Sequence, residues 1–295
     1  MYQDEIIDAH MHIWDLDHGH YPWLKGVDKE IEKLIGDYKK IRRNFLIADY
    51  EALVKSHRVV KCVHIEANAE PTKALHETEW LQKIADHHGF PHAIIASANL
   101  VDPDIANVLK DHCQYPNVRG IRQVLFHELE SEAPDLINDP HWQKGLKALE
   151  AQILSFDIAI FGHQIPAAVQ LAKEYPNVSF VLEHLGFPRD LSDRGFISWK
   201  HHLARLAEHE NVYLKLSGIG LVFRFDDQEN IERFIHAGVE IFGEDRCIFG
   251  SNIPPDTLFF SYDKLIEIFK RTFTRYSLNI QRKLFYENAK EFYDL

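Results

Sequence analysis

Two histidines one residue apart are the first residues in this sequence that could do chemistry. The stretch "EIIDAHMHIWD" places His10 and His12 inside an apolar run, and Asp8 lies two residues before His10. Because residues i and i+2 of a strand point the same way, both imidazoles would face one space. Two such imidazoles can share one divalent cation, since histidine nitrogen suits zinc. The alternative is a pair of hydrogen-bonded histidines in the core.

Two further histidines stand at the ends of later apolar runs. His163 ends the run "FDIAIFG", and His184 ends the run "VSFVLE". Each alone is typical of a structural histidine with a hydrogen-bond partner. If the fold brings all four imidazoles into one pocket, they predict a metal or oxyanion site, because four neutral imidazoles make a poor core.

Eight short apolar runs alternate with helix-like stretches along the chain. The runs cover residues 6–14, 59–67, 92–100, 118–126, 156–164, 178–186, 212–220 and 246–254. Strands that alternate with helices predict parallel βαβ units, and near-continuous apolar runs fit strands covered on both faces. Eight units in a chain of this length predict one domain, residues 1–295, folded as a (β/α)8 TIM barrel. A doubly wound open sheet is the alternative, but no Gly-rich turn follows Trp14.

Polar side chains concentrate at the carboxyl ends of these runs. They are His10 and His12, His64 and Glu66, Arg122 and Gln123, His163 and Gln164, Glu183 and His184, Lys215 and Ser217, and Asn252. In a TIM barrel these ends converge on the face that carries active sites. The sequence therefore predicts an active site at this barrel mouth.

Composition narrows the class of partner. The 33 Lys and Arg against 45 Asp and Glu give a net charge of −12, which argues against nucleic acid and against an anionic membrane surface. A small-molecule substrate, even an acidic one, is not excluded. Three scattered cysteines, the polar start of the chain and the lack of a long apolar run predict a reduced, cytoplasmic protein. A monomer and a homo-oligomer both fit the sequence.

Several motifs resemble the amidohydrolase superfamily, in particular its lactonase branch, which includes hydrolases of L-fuconolactone, L-rhamnonolactone and 2-pyrone-4,6-dicarboxylate. The motifs, in the family's order, are "IDAHMHIWD", "YPWL", "RGIRQVL", "GHQIP", "EHLG", "KLSG", "FGSNIP" and "NAKEFY". Each is weak alone, but the ordered set spans nearly the whole chain. The resemblance implies a (β/α)8 barrel that hydrolyses a C–O or C–N bond in a cyclic or acyl compound.

The resemblance also implies roles for individual residues. In the superfamily the histidines that match His10, His12, His163 and His184 bind metal. A strand-eight aspartate normally activates water, but Asn252 stands at that position here, and an amide is neither a base nor a strong ligand. Asp256, in the loop that follows, and Glu66 are the candidate replacement bases. Any metal is expected to be one divalent ion such as zinc, because neither strand-four candidate, Arg122 nor Gln123, can bridge two cations. Only partial occupancy is expected because Asn252 replaces the usual aspartate, and a metal-independent hydrolase is the alternative.

Three residues are candidates for binding substrate. Arg122 offers a planar fork suited to a carboxylate or a lactone carbonyl, and the alternative is an ion pair with Glu128 or another acid at the mouth. Asn252 and Trp14 are the others, although Trp14, with Tyr21 and Trp23, equally predicts an aromatic cover of the barrel. Because backbone parity near Gly120 is uncertain, Arg119 is a second candidate for the inward-facing arginine.

These observations favour a lactonase-like hydrolase, in which the histidines polarise a lactone carbonyl and a carboxylate takes the proton from water. Two alternatives stay open at this point. One is a metal-dependent decarboxylase, a chemistry also found in the superfamily. The other is a catalytically impaired barrel that binds a small ligand, since Asn252 replaces the expected base.

Overall fold

The strands are parallel and follow one another in chain order. The computed structural model describes residues 2–133, 135–224 and 227–295. The strands are β1 (Ile6–Met11), β2 (Val59–Ile65), β3 (Ala93–Ser97), β4 (Val118–Val124), β5 (Ser155–Ala159), β6 (Phe180–Leu182), β7 (Val212–Leu216) and β8 (Cys247–Phe249). Within the described residues they form one eight-stranded sheet in the order β1 to β8, and each neighbouring pair is parallel.

Backbone hydrogen bonds between the end of β1 and the segment after β8 bring the two edges of the sheet together. The Asn252 N–H donates to the His10 carbonyl at 2.7 Å, and the His12 N–H donates to the Ile253 carbonyl at 2.8 Å. The sheet is thus a nearly closed barrel surrounded by helices. The predicted (β/α)8 TIM barrel is confirmed, and the doubly wound alternative is wrong.

Helices surround the barrel and also cover its mouth. They are α1 (Pro22–Lys25), α2 (Lys29–Ile35), α3 (Ile47–Val54), α4 (Ala74–His88), α5 (Ile105–His112), α6 (Pro140–Gln152), α7 (Ile165–Glu174), α8 (Asp193–Ala207), α9 (Ile219–Phe223), α10 (Gln228–Phe242), α11 (Tyr262–Thr272), α12 (Leu278–Arg282) and α13 (Asn288–Phe292). A π-helical turn, Lys283–Glu287, joins the last two. None of the described helices is long and apolar enough to cross a membrane.

The barrel interior is a separate apolar cluster. Its members are Ile7, Ala9, Val63, Ile65, Ala93, Ile95, Val181, Ile248, Ala289 and Tyr293. The last two belong to the C-terminal segment, so this segment closes the end of the barrel opposite the predicted site. Consistently, the ring of Phe292 lies 4.8 Å from that of Tyr213, near the start of β7. Small and β-branched residues fill the space between the strands, as a TIM barrel requires.

All eight predicted strands exist, but each ends earlier than the apolar run that predicts it. β1 ends at Met11, and β6 ends at Leu182. Beyond these ends the backbone leaves the strand conformation, and His184, Leu185 and Asn252 have positive φ angles. His12, His184 and Asn252 therefore lie on short segments after the strands, where the backbone can aim each one separately. His10, Arg122 and Lys215 lie within their strands.

Candidate active site

An extra residue in β1 aims His10 into the barrel mouth. Asp8 pairs with Cys62 and Met11 pairs with His64, so three steps along β1 match two steps along β2. Such bulges re-aim side chains. Asp8 faces away from the mouth, where it accepts a hydrogen bond from the Tyr50 hydroxyl at 3.3 Å. His10 and His12 share one space, as their spacing predicts.

Three imidazoles meet at the mouth. The ring centroid of His10 lies 5.0 Å from that of His12 and 4.6 Å from that of His184. Burial lowers the pKa of each well below 6.5, and neighbouring cations lower it further, chiefly Lys215 for His10 and Arg122 for the other two. All three are therefore neutral near pH 7, which leaves ring nitrogens able to bind a ligand or a proton.

The tautomer of His12 is fixed by the backbone. Its Nδ1 lies 2.7 Å from the carbonyl oxygen of Ile65. Because a carbonyl only accepts, Nδ1 must carry the proton and Nε2 must carry the free lone pair. This is the arrangement of a metal-binding or proton-accepting histidine with an outer-shell partner. His64 packs behind it, at 6.1 Å between ring centroids, with its Nε2 bonded to the Ile13 carbonyl at 3.2 Å.

His184 is held from two sides after β6. Its backbone has φ of 54°, a conformation that costs free energy in a residue with a Cβ. Its Nδ1 lies 2.9 Å from the Ser217 hydroxyl. On the other side, a Cβ added to Gly218 would come within 2.5 Å of the His184 Cγ, so a glycine is needed there for the ring to fit.

We expect Gly218→Ala to displace His184 and to weaken binding of Zn²⁺ about 10–100-fold, the usual cost of losing the support that orients a metal ligand. The measurement is chelator competition on the purified variant. Gly89→Ala is the matched control, because Gly89 has a similar φ of 76° and a Cβ added there would meet no atom within 4 Å. Equal zinc affinities for the two variants would contradict the packing argument.

A buried network of ion pairs, the ion-pair ladder, lies beside the imidazoles and consists of Glu66, Arg122 and Glu183. The Arg122 Nε donates to Glu66 Oε1 at 2.7 Å, and its NH1 group donates to Glu183 Oε2 at 3.2 Å. Glu183 Oε1 also lies 3.4 Å from His10 Nδ1, and Glu183 Oε2 lies 3.8 Å from His184 Nε2. Arg122 is thus ion-paired with acids at the mouth, but not with Glu128, which instead contacts Arg189 at 3.3 Å.

Asn252 and Asp256 form a hydrogen-bonded pair at the mouth. The Asn252 amide donates to Asp256 Oδ1 at 2.8 Å, and Asp256 Oδ2 accepts from the Gly220 N–H at 2.7 Å. Burial raises the pKa of Asp256 to about 7, against the opposing effect of these hydrogen bonds. Asn252 lines the mouth cavity, while Asp256 stands behind it. A direct role of Asp256 as the base stays a prediction, and its contacts favour holding Asn252 in place.

A cavity of about 150 Å³ opens onto this constellation. Its polar wall contains His12, Asn68, Arg122, His184 and Asn252. The remaining lining, the apolar wall, consists of Trp14, Trp23, Ile31, Leu34, Ile35, Ala67, Val124, Phe126, Leu221 and Pro255. The cavity can therefore hold a small molecule that carries both polar and apolar groups.

The aromatic residues after β1 both cover the barrel and line the cavity. Trp14 and Trp23 pack edge to face at 5.7 Å between centroids, and the Trp23 Nε1–H donates to the Ala67 carbonyl at 2.9 Å. Tyr21 does not line this cavity; its hydroxyl bonds to the buried Glu77. Trp14 lines the cavity, and its contact with a substrate stays a prediction.

Glu77 is a buried acid beside the mouth with a perturbed pKa. Its Oε1 accepts from the Ala67 N–H at 3.3 Å. Burial, followed by repulsion from Glu66, raises its pKa from 4.5 to about 8. Between about pH 4.5 and pH 8 the Glu77 carboxyl is protonated in the folded chain but ionised in the unfolded chain. The free energy of unfolding therefore falls as pH rises through this range.

Glu77→Gln should therefore flatten the pH dependence of stability between about pH 5 and pH 8, by up to about 1.4 kcal/mol per pH unit. The free energy of unfolding by urea is measured at several pH values for both proteins. Glu79→Gln is the control, because Glu79 lies on the same helix but is exposed and paired with Lys83. Parallel curves for wild type and Glu77→Gln would show that Glu77 ionises normally.

His163 is not brought together with the other three imidazoles. Its Nε2 lies 2.9 Å from the His127 carbonyl, and its ring stacks on Phe161 at 5.9 Å. Phe161 packs with Phe126 and Phe187, and Phe187 in turn contacts the His184 ring at 6.3 Å. An aromatic layer thus lies between His163 and His184. The role of His163 as a fourth metal ligand stays a prediction, and no contact among the described residues supports it.

Arg119, the alternative inward-facing arginine, lies at the other end of the barrel. Its guanidinium donates to the carbonyl of Asp294, with Nε at 3.4 Å, and to the carbonyl of Pro116. Arg122 is therefore the arginine at the mouth. In the β4 register Arg122 lies opposite Asp157 of β5, near the carboxyl end of the strand.

The donor set at the mouth fits a single divalent ion. The possible ligand atoms of His10, Glu183 and His184 lie within 4.8 Å of one another, and all three residues are buried. His10 Nε2 is buried without a hydrogen-bond partner among the described residues. Two imidazoles and a carboxylate are a ligand set that suits zinc and leaves a coordination position open. No second set of this kind occurs in residues 2–133, 135–224 and 227–295.

Glu183 is the site residue that sequence reasoning missed. It stands among the polar strand ends, but the functional role there is predicted for its neighbour His184. Lys215, which also stands among the polar strand ends, and Asp157 were given no individual role, although both are charged residues on apolar strands. A charge in the middle of a buried strand was the available signal, because such a group needs a partner inside the barrel.

Comparison with known proteins gives the class. The amidohydrolase family model matches residues 7–295. The chain is 37% identical to the uncharacterized protein y4mH of Sinorhizobium fredii over 98% of both chains. It is 29% identical to an L-fucono-1,5-lactonase of Burkholderia ambifaria over 85% of this chain and 81% of that one. The chain therefore belongs to the amidohydrolase family, and the predicted resemblance, including its lactonase branch, is confirmed.

Solved structures share the architecture. The crystal structure of a Burkholderia multivorans amidohydrolase with bound zinc superposes with a TM-score of 0.81 at 24% identity, covering 99% of this chain and 100% of that one. At 24% sequence identity, this similarity shows a shared fold and does not by itself show a shared activity. Family membership and the lactonase relatives together support an enzyme with a hydrolase or related role.

Proposed function

We propose that this chain is a lactonase that opens an uncharged sugar-acid lactone by attack of water at the barrel mouth. The observation that carries the proposal is the cavity wall, where neutral imidazoles stand beside an arginine whose charge is already compensated. The lactonase relatives support the reaction class, and the site geometry narrows the substrate.

The charge of the cavity argues for an uncharged substrate. Among the described residues that line it, Arg122 is the one with a positive charge. Its guanidinium already contacts both Glu66 and Glu183. A substrate carboxylate would have to compete with two buried carboxylates for it. This disfavours both a dicarboxylate lactone and the decarboxylase alternative, whose substrate is an acid.

The neutral imidazoles can perform the proton transfers. His12 faces the cavity, and its Nε2 lone pair is free to accept a proton from the attacking water. Its lowered pKa makes the imidazolium a ready donor, so the same proton can pass to the ring oxygen as the C–O bond breaks. Asn252, held by Asp256, can orient the lactone at the polar wall. The apolar wall keeps bulk water away from the reacting ester.

His10, His184 and Glu183 would hold a divalent ion here, and the ion would supply Lewis acidity toward the lactone carbonyl. The remaining steps belong to the chain itself. His12 moves the proton, and the Arg122–Glu183 pair keeps the ligand carboxylate fixed in place. In this arrangement Glu66 holds Arg122 in place. Glu66 is the second candidate, after His12, for the base that accepts the proton from water.

The test is a screen by pH indicator with bound metal measured on the same sample. Uncharged aldonolactones, a lactone dicarboxylate and aromatic acids are compared, and release of carbon dioxide is followed for the acids. The expected result is turnover of an aldonolactone. Turnover of the dicarboxylate alone, or release of carbon dioxide, would overturn the proposal. Binding of lactones without any turnover would favour the impaired-barrel alternative, which the buried position of Asp256 supports.

His12→Asn should lower turnover on the order of 10²–10⁴-fold, the usual contribution of a general base. Asparagine keeps an N–H for the Ile65 carbonyl but lacks the second nitrogen. Asp256→Asn is compared on the same lactone, and we expect the smaller loss there because Asp256 acts through Asn252. A larger loss in Asp256→Asn than in His12→Asn would return the base to Asp256.

A further inference from the structure

A buried chain of contacts leads from the C-terminal segment to the active site. The Tyr293 hydroxyl donates to Asp157 Oδ2 at 2.9 Å. The Lys215 ammonium donates to the same oxygen at 2.5 Å, and its Nζ lies 5.3 Å from the centre of the Tyr293 ring. Lys215 and Asp157 are fully buried in the barrel. Asp157 and Tyr293 therefore hold the Lys215 ammonium in a fixed position, and the ammonium still has an N–H free to donate to another group.

That remaining donor reaches His10. Lys215 Nζ lies 3.5 Å from His10 Nδ1 in hydrogen-bond geometry. Glu183 Oε1 lies 3.4 Å from the same nitrogen, but as a charge contact without that geometry. An ammonium can only donate and a carboxylate can only accept, so one ring nitrogen cannot satisfy both. The two neighbours therefore demand opposite tautomers of His10.

The tautomer decides what His10 can do. When Lys215 donates to Nδ1, the proton of the neutral ring sits on Nε2, which is then a hydrogen-bond donor. When Nδ1–H faces Glu183, Nε2 carries a lone pair and can bind a cation. Because the Lys215 contact has hydrogen-bond geometry and the Glu183 contact does not, the geometry favours the Lys215-bonded form.

We propose that Lys215 is a positioning residue that sets the tautomer of His10 and thereby limits how tightly the site binds a divalent cation. Asp157 and Tyr293 act through it by fixing the ammonium. The inference concerns the chain without substrate, so it goes beyond the proposed lactonase activity and does not depend on it. Cation binding requires His10 to give up the Lys215 hydrogen bond, and it also places the cation near a second positive charge.

The first readout is the ¹⁵N NMR spectrum of histidine-labelled protein without added metal, with the His10 signal assigned by its loss in His10→Asn. In wild type, the proton of His10 is expected on Nε2, and in Lys215→Met it is expected on Nδ1. The same tautomer in both proteins would overturn the proposal. A Nδ1–H form in wild type would overturn it as well.

The second readout is affinity for Zn²⁺ by chelator competition. Lys215→Met should bind zinc about tenfold more tightly than wild type, since one charged hydrogen bond no longer opposes binding. Unchanged, weaker or undetectable binding in the variant would overturn the limit on cation binding. Lys215→Met combined with Asp157→Asn removes both charges together, so it gives the same comparison if the single variant does not fold. Lys283→Met is the control, because Lys283 pairs with Glu244 near the surface.

Discussion

Replacing Glu183 by glutamine is expected to remove most of the zinc affinity and turnover of this enzyme and to destabilise its fold. Glu183 is the carboxylate shared by Arg122, His10 and His184, and it is 1% exposed. Loss of one partner from a buried ion pair costs about 3–5 kcal/mol, and we expect the low end because Arg122 keeps Glu66. Zinc affinity should fall on the order of 100-fold or more, since a direct ligand matters at least as much as an outer-shell partner.

The measurements are the free energy of unfolding by urea, zinc affinity by chelator competition, and turnover of the lactone found in the screen. Glu128→Gln is a matched control: it is also a glutamate that contacts an arginine, Arg189 at 3.3 Å, but both side chains are exposed to solvent. Exposed pairs of this kind contribute little, so all three quantities should stay near wild type. If Glu183→Gln behaved like Glu128→Gln, the ion-pair ladder would have no part in the site.

Asn252→Asp is expected to tighten zinc binding, by about tenfold or more, through a carboxylate beside the imidazoles. Asn252 lines the same cavity as His12 and His184. The new carboxylate would face Asp256, since the amide now donates to Asp256 Oδ1 at 2.8 Å. Two adjacent carboxyls cannot both ionise readily. Because the pKa of Asp256 is already raised to about 7, Asp256 can keep the shared proton and leave the new carboxylate ionised, so the gain should already appear at pH 6.

Zinc affinity is measured at pH 6 and pH 8 for wild type, Asn252→Asp and Asn68→Asp. Asn68 is the matched control because it lines the same cavity and also has a positive φ, 52° against 55° for Asn252. Asn68→Asp adds the same negative charge to the cavity, but Asn68 does not stand at the strand-eight position of the usual aspartate. Equal gains in zinc affinity for Asn252→Asp and Asn68→Asp would show that the added negative charge in the cavity causes the effect. Direct binding of zinc by the residue at position 252 would then be ruled out.

Much of this site follows from the order of residues along the chain. Eight apolar runs of strand length specify a parallel barrel, because each needs cover on both faces. Polar residues at the run ends locate the active face, and Asn252 in the place of the usual aspartate is read directly from the motif. These features are local or periodic, so one chain read from end to end is enough to predict them.

Contacts across the barrel were decided by tertiary structure alone. A single extra residue in β1 separates Asp8 from His10, and it leaves no mark in the alternation of residue types. An aromatic layer separates His163 from His184, although both follow neighbouring strands. Lys215 and Glu183 compete for one nitrogen of His10 only because β1, β6 and β7 converge there. The sequence specifies which charges are buried, whereas their pairing depends on distances of a few ångströms that arise when the barrel closes.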